Sequence, residues 1–460
     1  MLAIFSYIRY NRNDYIYIGG TKLNKGFLSA AKIREHLAAG TFDAKMQQMY
    51  GVSADALGQY RKRISDALTA FISIYGEQPV RVFSVSGRTE LGGNHTDHQH
   101  GRVLCGGISL DIIAVAAPTD KAVIRVKSEG YPEDTVDLAF LSPKKDEAGR
   151  SAALIRGTAA RFSALGKPVG GFCAYTASDV LKGSGMSSSA AFEVMIGTIC
   201  NDFFADRAFS QAELAMIAQY AENEFFMKPC GLMDQMACAL GGVTAIDFAD
   251  PAAPEYTQVP LDLAAEGYAL CIIDSGADHA DLTDEYGAVS AEMKAVAHTL
   301  GKDVLRNTNE SAFWQALSEI RKQCGDRAVM RAIHFYGDNA RVPKQIEALR
   351  NGDFNTYLRY VNASGESSAF ALQNIYASGQ QREQAVAVTI ALCRHLLNGT
   401  GACRVHGGGF AGTVQAYVPL DQVDAFRGAV DAVLGEGACH VLQIRACGAC
   451  ALWNEDDICC

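Results

Sequence analysis

The stretch KGSGMSSSAA at 182–191 sets two glycines and three consecutive hydroxyl side chains directly ahead of a helical run, FEVMIGTICNDFF. Glycines permit a tight turn whose successive amides point at phosphate oxygens. The N-terminus of the following helix adds free N–H groups and partial positive charge. Ser187, Ser188 and Ser189 carry hydroxyls able to orient phosphates or ligate magnesium. A Walker A loop would place a Lys-Ser/Thr pair after its second glycine, and a dinucleotide fingerprint would add a third glycine at fixed offset; neither is present. Alone, the stretch reads equally well as a serine-capped helix after a glycine turn. Three other segments carry polar or glycine-rich chemistry: GRTELGGNHTDH at 87–98, GLMDQ at 231–235 and HGGGFAG at 406–412.

Elements must bring these segments together. Leu57, Tyr60, Ile64, Leu68, Phe71 and Tyr75 form one stripe at helical spacing, with Ser53 as the expected start and Gly76 as the stop. This helix is expected to pack on the next domain, while residues 1–45 show no sustained periodicity. Strand-like texture begins at Val80 (VRVFSV, RVLCGGISLDIIAVAAP, KAVIRVKS) and recurs at 242–248, 268–274, 414–418 and 440–445. Helical patterns cover 152–165, a run from about Ser188, 210–225, much of 285–400, and 420–434. Strands and helices mixed without strict alternation point to an α+β fold.

Taken in order, the four segments resemble the galactokinase branch of the GHMP small-molecule kinases. The family pattern G-R-x-N-L-I-G-E-H-T-D-Y is similar to 87–98, G-x-G-L-S-S-S-A-A-L-E to 183–193, G-I-M-D-Q to 231–235 and G-G-G-F-G-G to 407–412; weaker similarity runs through 331–334 and 339–342. The resemblance covers about residues 80–455. It implies a two-domain α+β fold, with a ribosomal protein S5 domain 2-like N-terminal domain at 80–260 and a ferredoxin-like C-terminal domain at 261–460. Residues 1–79 are then a partly helical extension. The implied activity is transfer of a phosphoryl group from ATP to the anomeric hydroxyl of a sugar.

The resemblance also distributes roles. Gly183, Ser184, Gly185, Met186, Ser187, Ser188, Ser189 and Ala190 would cradle ATP, and Ser189 with Glu222 would hold Mg2+. Asp234 matches the family aspartate that faces the anomeric hydroxyl, and Arg88 the arginine beside it, which keeps that carboxylate ionised. Asn94, His95, Asp97 and Tyr286 fall at sugar-contacting positions. Four departures stand out: Glu90-Leu91-Gly92 replaces Asn-Leu-Ile, Asn94 replaces a glutamate, His98 replaces a tyrosine, and Ala411 replaces a glycine. Loss of the carboxylate at 94 could admit a sugar bearing a 6-carboxylate. The alternatives to galactose are therefore galacturonate or N-acetylgalactosamine, and outside enzymes a silent sensor that binds galactose and ATP.

Composition narrows the classes further. The chain has 460 residues, and 41 basic against 51 acidic residues give a net charge of −10, with no basic block to draw nucleic acid or an anionic membrane. No run of about 18 apolar residues suits a membrane span, and the N-terminus lacks the basic lead of a secretion signal. Fourteen cysteines without such a signal fit a reducing cytoplasm. Cys447 and Cys450, with Cys459 and Cys460, read as core and tail thiols rather than half of a zinc site. The expected partners are a small sugar and ATP, in a monomer or small homo-oligomer.

Overall fold

The computed structural model describes residues 26–180, 186–228, 230–277 and 282–453, together with the backbone of three short strands, Arg9–Tyr10, Ile16–Ile18 and Thr21–Leu23. Those three strands form a small antiparallel sheet, and two larger sheets organise the rest of the described residues. The larger is built around the strand Arg102–Pro118, whose 17 residues span about 55 Å at the usual rise. That length lets one edge take two partners end to end. Val243–Asp247 pairs with residues 102–106, Phe172–Ser178 pairs with 112–118, and Arg81–Gly92 lines the opposite edge, all antiparallel. Val123–Ser128 runs parallel to Phe172–Ser178, Glu133–Asp137 closes that side and Glu255–Gln258 the other. Cys450–Ala451 returns from the far end of the chain to pair with Phe83 and Ser84. This sheet thus draws a strand from beyond the 80–260 range.

Every residue of Arg81–Gly92 is buried, because both faces of the sheet are covered. Val80 and Val82, with Ile113, Val115, Ala117, Cys173 and Tyr175, face the N-terminal extension. Phe83 and Val85 point the other way, into a core built with the helices Ser151–Ala164, Ser188–Phe204, Gln211–Ala221 and Met233–Leu240. The alternation follows the two-residue period of a strand.

The expected helix appears as Leu57–Tyr75 after a short 3-10 turn at Ala54–Ala56, ends at Gly76, and buries its stripe through Phe71 against the sheet. Two shorter helices, Ala30–Ala38 and Asp43–Tyr50, occupy a region where no periodicity was expected; each buries only three side chains, too few to make a repeat. A dry charge network ties this layer down. Asp111 accepts from Tyr50 at 2.7 Å, Arg63 at 2.7 Å, Arg445 at 3.0 Å and Ser84.

The smaller sheet has the order Ala402–Val405, Thr413–Pro419, Tyr268–Asp274, Cys439–Leu442, all antiparallel. Ala385–Leu397 and Val423–Leu434 cover one face. The other meets Phe354–Ser367 through Leu270, Ile272, Tyr357, Val361 and Tyr417, in the same core as the large sheet. The 25-residue helix Asp326–Arg350 packs along Phe354–Ser367 and Thr283–Thr299.

Candidate functional site

The strand Arg81–Gly92 slips register at two points, between Ser86 and Arg88 and between Glu90 and Gly92. Such bulges re-aim side chains, and here they bracket Arg88. Its guanidinium forks onto Asp234, with Nε 2.7 Å from Oδ1 and a terminal nitrogen 3.0 Å from Oδ2. Asp234 lies in the first turn of Met233–Leu240, where helix N–H groups favour negative charge. The arginine side chain is 6% exposed and the aspartate 35%, so the carboxylate is the member open to solvent. Burial pushes the Asp234 carboxyl upward, but the charge and hydrogen bonds of Arg88, helped by Ser187 and Lys228, hold it below its usual range. It is ionised at neutral pH.

Ser187 donates its hydroxyl to the same carboxylate. Its backbone is left-handed at φ 59°, and the 17-residue helix Ser188–Phe204 begins immediately after it. Met186 is buried and its carbonyl accepts the Arg88 N–H at 3.3 Å. Ser188 and Ser189 open the helix half-buried, and Ala190 is buried behind them. Gly183, Ser184 and Gly185 lie outside the described residues. The serine turn, the GLMDQ segment and the first bulged strand therefore meet at one carboxylate.

The polar loop after the strand is held by the other two segments. His95, left-handed at φ 56°, has Nε2 2.9 Å from the Gly408 carbonyl, and burial pushes its ring down to about 4. It is neutral at pH 7, with Nε2–H donating to that carbonyl and Nδ1 left as an acceptor. Asp97 accepts from the backbone N–H groups of His98, at 2.8 Å, and Met233. Burial, with Asp234 nearby, pushes its carboxyl up to about 6. Gly231 is required here, since a Cβ at that position would collide with the Asp97 carboxylate.

Asn94 departs from its expected place against a sugar. It is fully buried and its amide is spent on protein: Nδ2 donates to Glu90 at 3.0 Å and to the Gly407 carbonyl at 2.7 Å, while Oδ1 accepts from Ser368 at 3.1 Å and Asn374 at 3.0 Å. The residue is a strut between the loop and the glycine-rich turn. Tyr286 is likewise occupied: its hydroxyl donates to the Gly409 carbonyl at 2.9 Å and its ring fills the space a Cβ on Gly408 would need. Tyr286 shapes the turn that holds His95.

Several residues escaped the sequence reading. Glu90 is buried against Arg404, and burial pushes its carboxyl up to about 7 despite that partner. His334 contacts the Asn94 carbonyl at 2.8 Å and Asp338 accepts the Asn94 N–H at 2.7 Å, both from the Asp326–Arg350 helix. Gln345, on the same helix, fills the volume a side chain at Gly92 would take. Glu222, by contrast, was an expected Mg2+ ligand: it opens a π-turn, Glu222–Phe226, a local irregularity common at functional sites, and is 3% exposed. It accepts from Gln235 at 2.7 Å and lies 3.5 Å from the Lys228 ammonium. Glu193, Gln235 and Glu222 sit together, buried, with the Gln235 amide nitrogen between the two carboxylates.

Two family models match the chain. The model described as the N-terminal domain of GHMP kinases matches residues 153–242, and the galactokinase galactose-binding signature matches residues 69–118. A galactokinase from Streptomyces coelicolor is 30% identical over 365 residues, 78% of this chain and 90% of that protein. One from Glaesserella parasuis is 28% identical, again over 78% of this chain and 90% of its own length. Among solved structures, Lactococcus lactis galactokinase complexed with galactose superposes with a TM-score of 0.73 at 23% identity, covering 85% of this chain and all of the other. A mevalonate kinase follows at 0.55 and 12% identity, over 79% and 99%.

Proposed function

The chain belongs to the galactokinase family of GHMP kinases, and we propose how its own residues perform the ATP-dependent phosphorylation of galactose to galactose 1-phosphate. The observation that carries the reading is the meeting of Ser187, Arg88 and Asp234 at one half-open carboxylate. It sets the phosphate-cradling turn beside a group able to orient an attacking hydroxyl.

Phosphoryl transfer proceeds through a loose transition state, so positioning and charge stabilisation do most of the work. The glycine- and serine-rich segment 183–189 and the N-terminus of Ser188–Phe204 hold the ATP phosphates. Asp234 accepts a hydrogen bond from the anomeric hydroxyl, displacing Ser187, and aims that oxygen at the terminal phosphate. A carboxylate held this acidic is a weak base, so it orients first and takes the proton only as the new bond forms. Arg88 keeps Asp234 charged and steadies negative charge as it develops. His95, through its free Nδ1, and Asp97 read hydroxyls further round the ring. Asn94 and Tyr286 act one layer back, by fixing His95 against the glycine-rich turn.

Ser189 and Glu222 would hold Mg2+, and the residues are suitable: a half-buried hydroxyl and a buried carboxylate, backed by Glu193 and Gln235 in the next layer. When bound, the ion would neutralise charge on the phosphates of ATP. In the described residues no helix is long and apolar enough to cross a membrane. The described cysteines are free thiols, which suits a cytoplasmic enzyme; its proposed assembly is a monomer or small homo-oligomer.

The test is ADP release with galactose, galacturonate and N-acetylgalactosamine offered separately. Turnover should be fastest with galactose. Preference for galacturonate would overturn the sugar assignment, and tight binding of galactose and ATP without turnover would make the protein a sensor.

A further inference from the structure

Glu193 lies one helical turn after Ser189 on Ser188–Phe204, so both side chains rise from the same face. It is 0% exposed. The Gln235 amide nitrogen bridges two carboxylates, 3.3 Å from Glu193 Oε2 and 2.7 Å from Glu222 Oε2. The shorter contact fixes the amide's orientation, because Glu222, paired with the Lys228 ammonium, accepts there from the nitrogen. Two oxygens are then stranded. Glu193 Oε1 and Gln235 Oε1 are both buried and have no hydrogen-bond partner among the described residues. Buried acceptors left unpaired are rare and call for an explanation. Helix packing alone would be served better by apolar side chains of the same size. The Gln235 oxygen can only accept, and Glu193 Oε1 does the same whenever its carboxyl is ionised, so what completes both together must bring donors or positive charge.

We propose that Glu193 is a positioning residue of the divalent-cation site, which fixes Glu222 through Gln235 and, with the free Gln235 oxygen, accepts hydrogen bonds from water on the cation. The inference rests on the reading that Ser189 and Glu222 hold that ion. Mg2+ keeps several of its waters when bound, and those waters donate outward, as the two stranded oxygens require. Loss of such an outer partner typically weakens metal affinity by 10–100-fold.

Full-length protein carrying Glu193→Gln, Glu193→Asp or Glu222→Gln is compared with the parent in two measurements. Mn2+ binding in the presence of ADP is read from the paramagnetic resonance signal of the free ion, and thermal unfolding is followed in EDTA and in Mg2+ with ADP. Glu193→Gln should melt no lower than the parent in EDTA, because it removes a buried carboxylate with an unpaired oxygen. It should bind Mn2+ about 10–100-fold more weakly and lose most of the melting-temperature gain brought by Mg2+. Glu193→Asp, which keeps the charge on a shorter arm, should fall between. Unchanged Mn2+ affinity in Glu193→Gln, with Glu222→Gln weakened, would overturn the role of Glu193 and leave the cation site standing. Unchanged affinity in Glu222→Gln as well would remove the site itself. Should Glu193→Gln not fold, unchanged Mn2+ affinity in Glu193→Asp would overturn the proposal.

Discussion

Replacing Asp234 by Asn removes one negative charge while keeping the shape of the side chain, and the structure separates its consequences. Asn still accepts a hydrogen bond from the anomeric hydroxyl, and His95 and Asp97 are untouched, so galactose affinity should change by less than about threefold. Turnover should suffer far more. A positioned proton acceptor contributes roughly 10²–10⁴-fold, and the substitution also leaves Arg88 facing a neutral amide. Taken together, kcat should fall by at least about 10³-fold, equivalent to about 4 kcal/mol of barrier. Stability should drop as well, since Arg88 is 6% exposed. Breaking a fully buried pair costs about 3–5 kcal/mol; Asp234 keeps 35% exposure, so the loss should lie below that range. Galactose binding by calorimetry, ADP release at saturating sugar and ATP, and urea unfolding read the three quantities separately. Equal losses in kcat and galactose affinity, or a kcat within tenfold of the parent, would refute the assignment of Asp234 as the group that faces the reacting oxygen.

Other outcomes follow from the same structure. Because the Asp97 carboxyl is pushed up to about 6, its charged, accepting form is lost as pH falls through that value. Galactose affinity should weaken between pH 7 and 5, and Asp97→Asn should flatten that dependence. Asp111→Asn should strip Arg445 and Arg63 of their shared counter-charge and cost about 3–5 kcal/mol of stability in urea, with the KM for galactose unchanged. Asn94→Glu alone would set two carboxylates together in a dry site and destabilise the fold. The exchange Glu90→Asn with Asn94→Glu should recover about 1–3 kcal/mol relative to that single change, a coupling expected only for residues in contact; additivity would show that they act independently.

The Glu90–Asn94 pair marks where sequence reasoning stopped. Both departures from the family pattern were visible, yet they read as two separate losses. The hydrogen bonds between them show instead that carboxylate and amide have traded places. The carboxylate now sits on the strand beside Arg404, and the amide is enclosed in the loop. A linear reading assigned Asn94 to the sugar because it could not see Ser368, Asn374 and Gly407 closing around it. The order of the four motifs, by contrast, was legible, because glycines and short polar runs keep their meaning without tertiary context. So was Leu57–Tyr75, where one face meets the sheet and the other meets water. The strand Arg81–Gly92 is buried on both sides, so its polar residues are enclosed along with its apolar ones. Its continuation through Arg88 to Gly92, which aims the arginine, could be read only from the ladder. Glu193 closes the serine-rich motif without signalling a task there, since a glutamate on a helix reads as exposed until its burial is known.

The most direct test of the account follows the phosphorus atom. Incubation with ATP and galactose labelled with 13C at C1, monitored by 13C and 31P magnetic resonance, should show one phosphate ester forming at C1 in step with ADP. Phosphate on another carbon, or ADP released without any sugar ester, would contradict the placement of the anomeric hydroxyl between Asp234 and the serine turn.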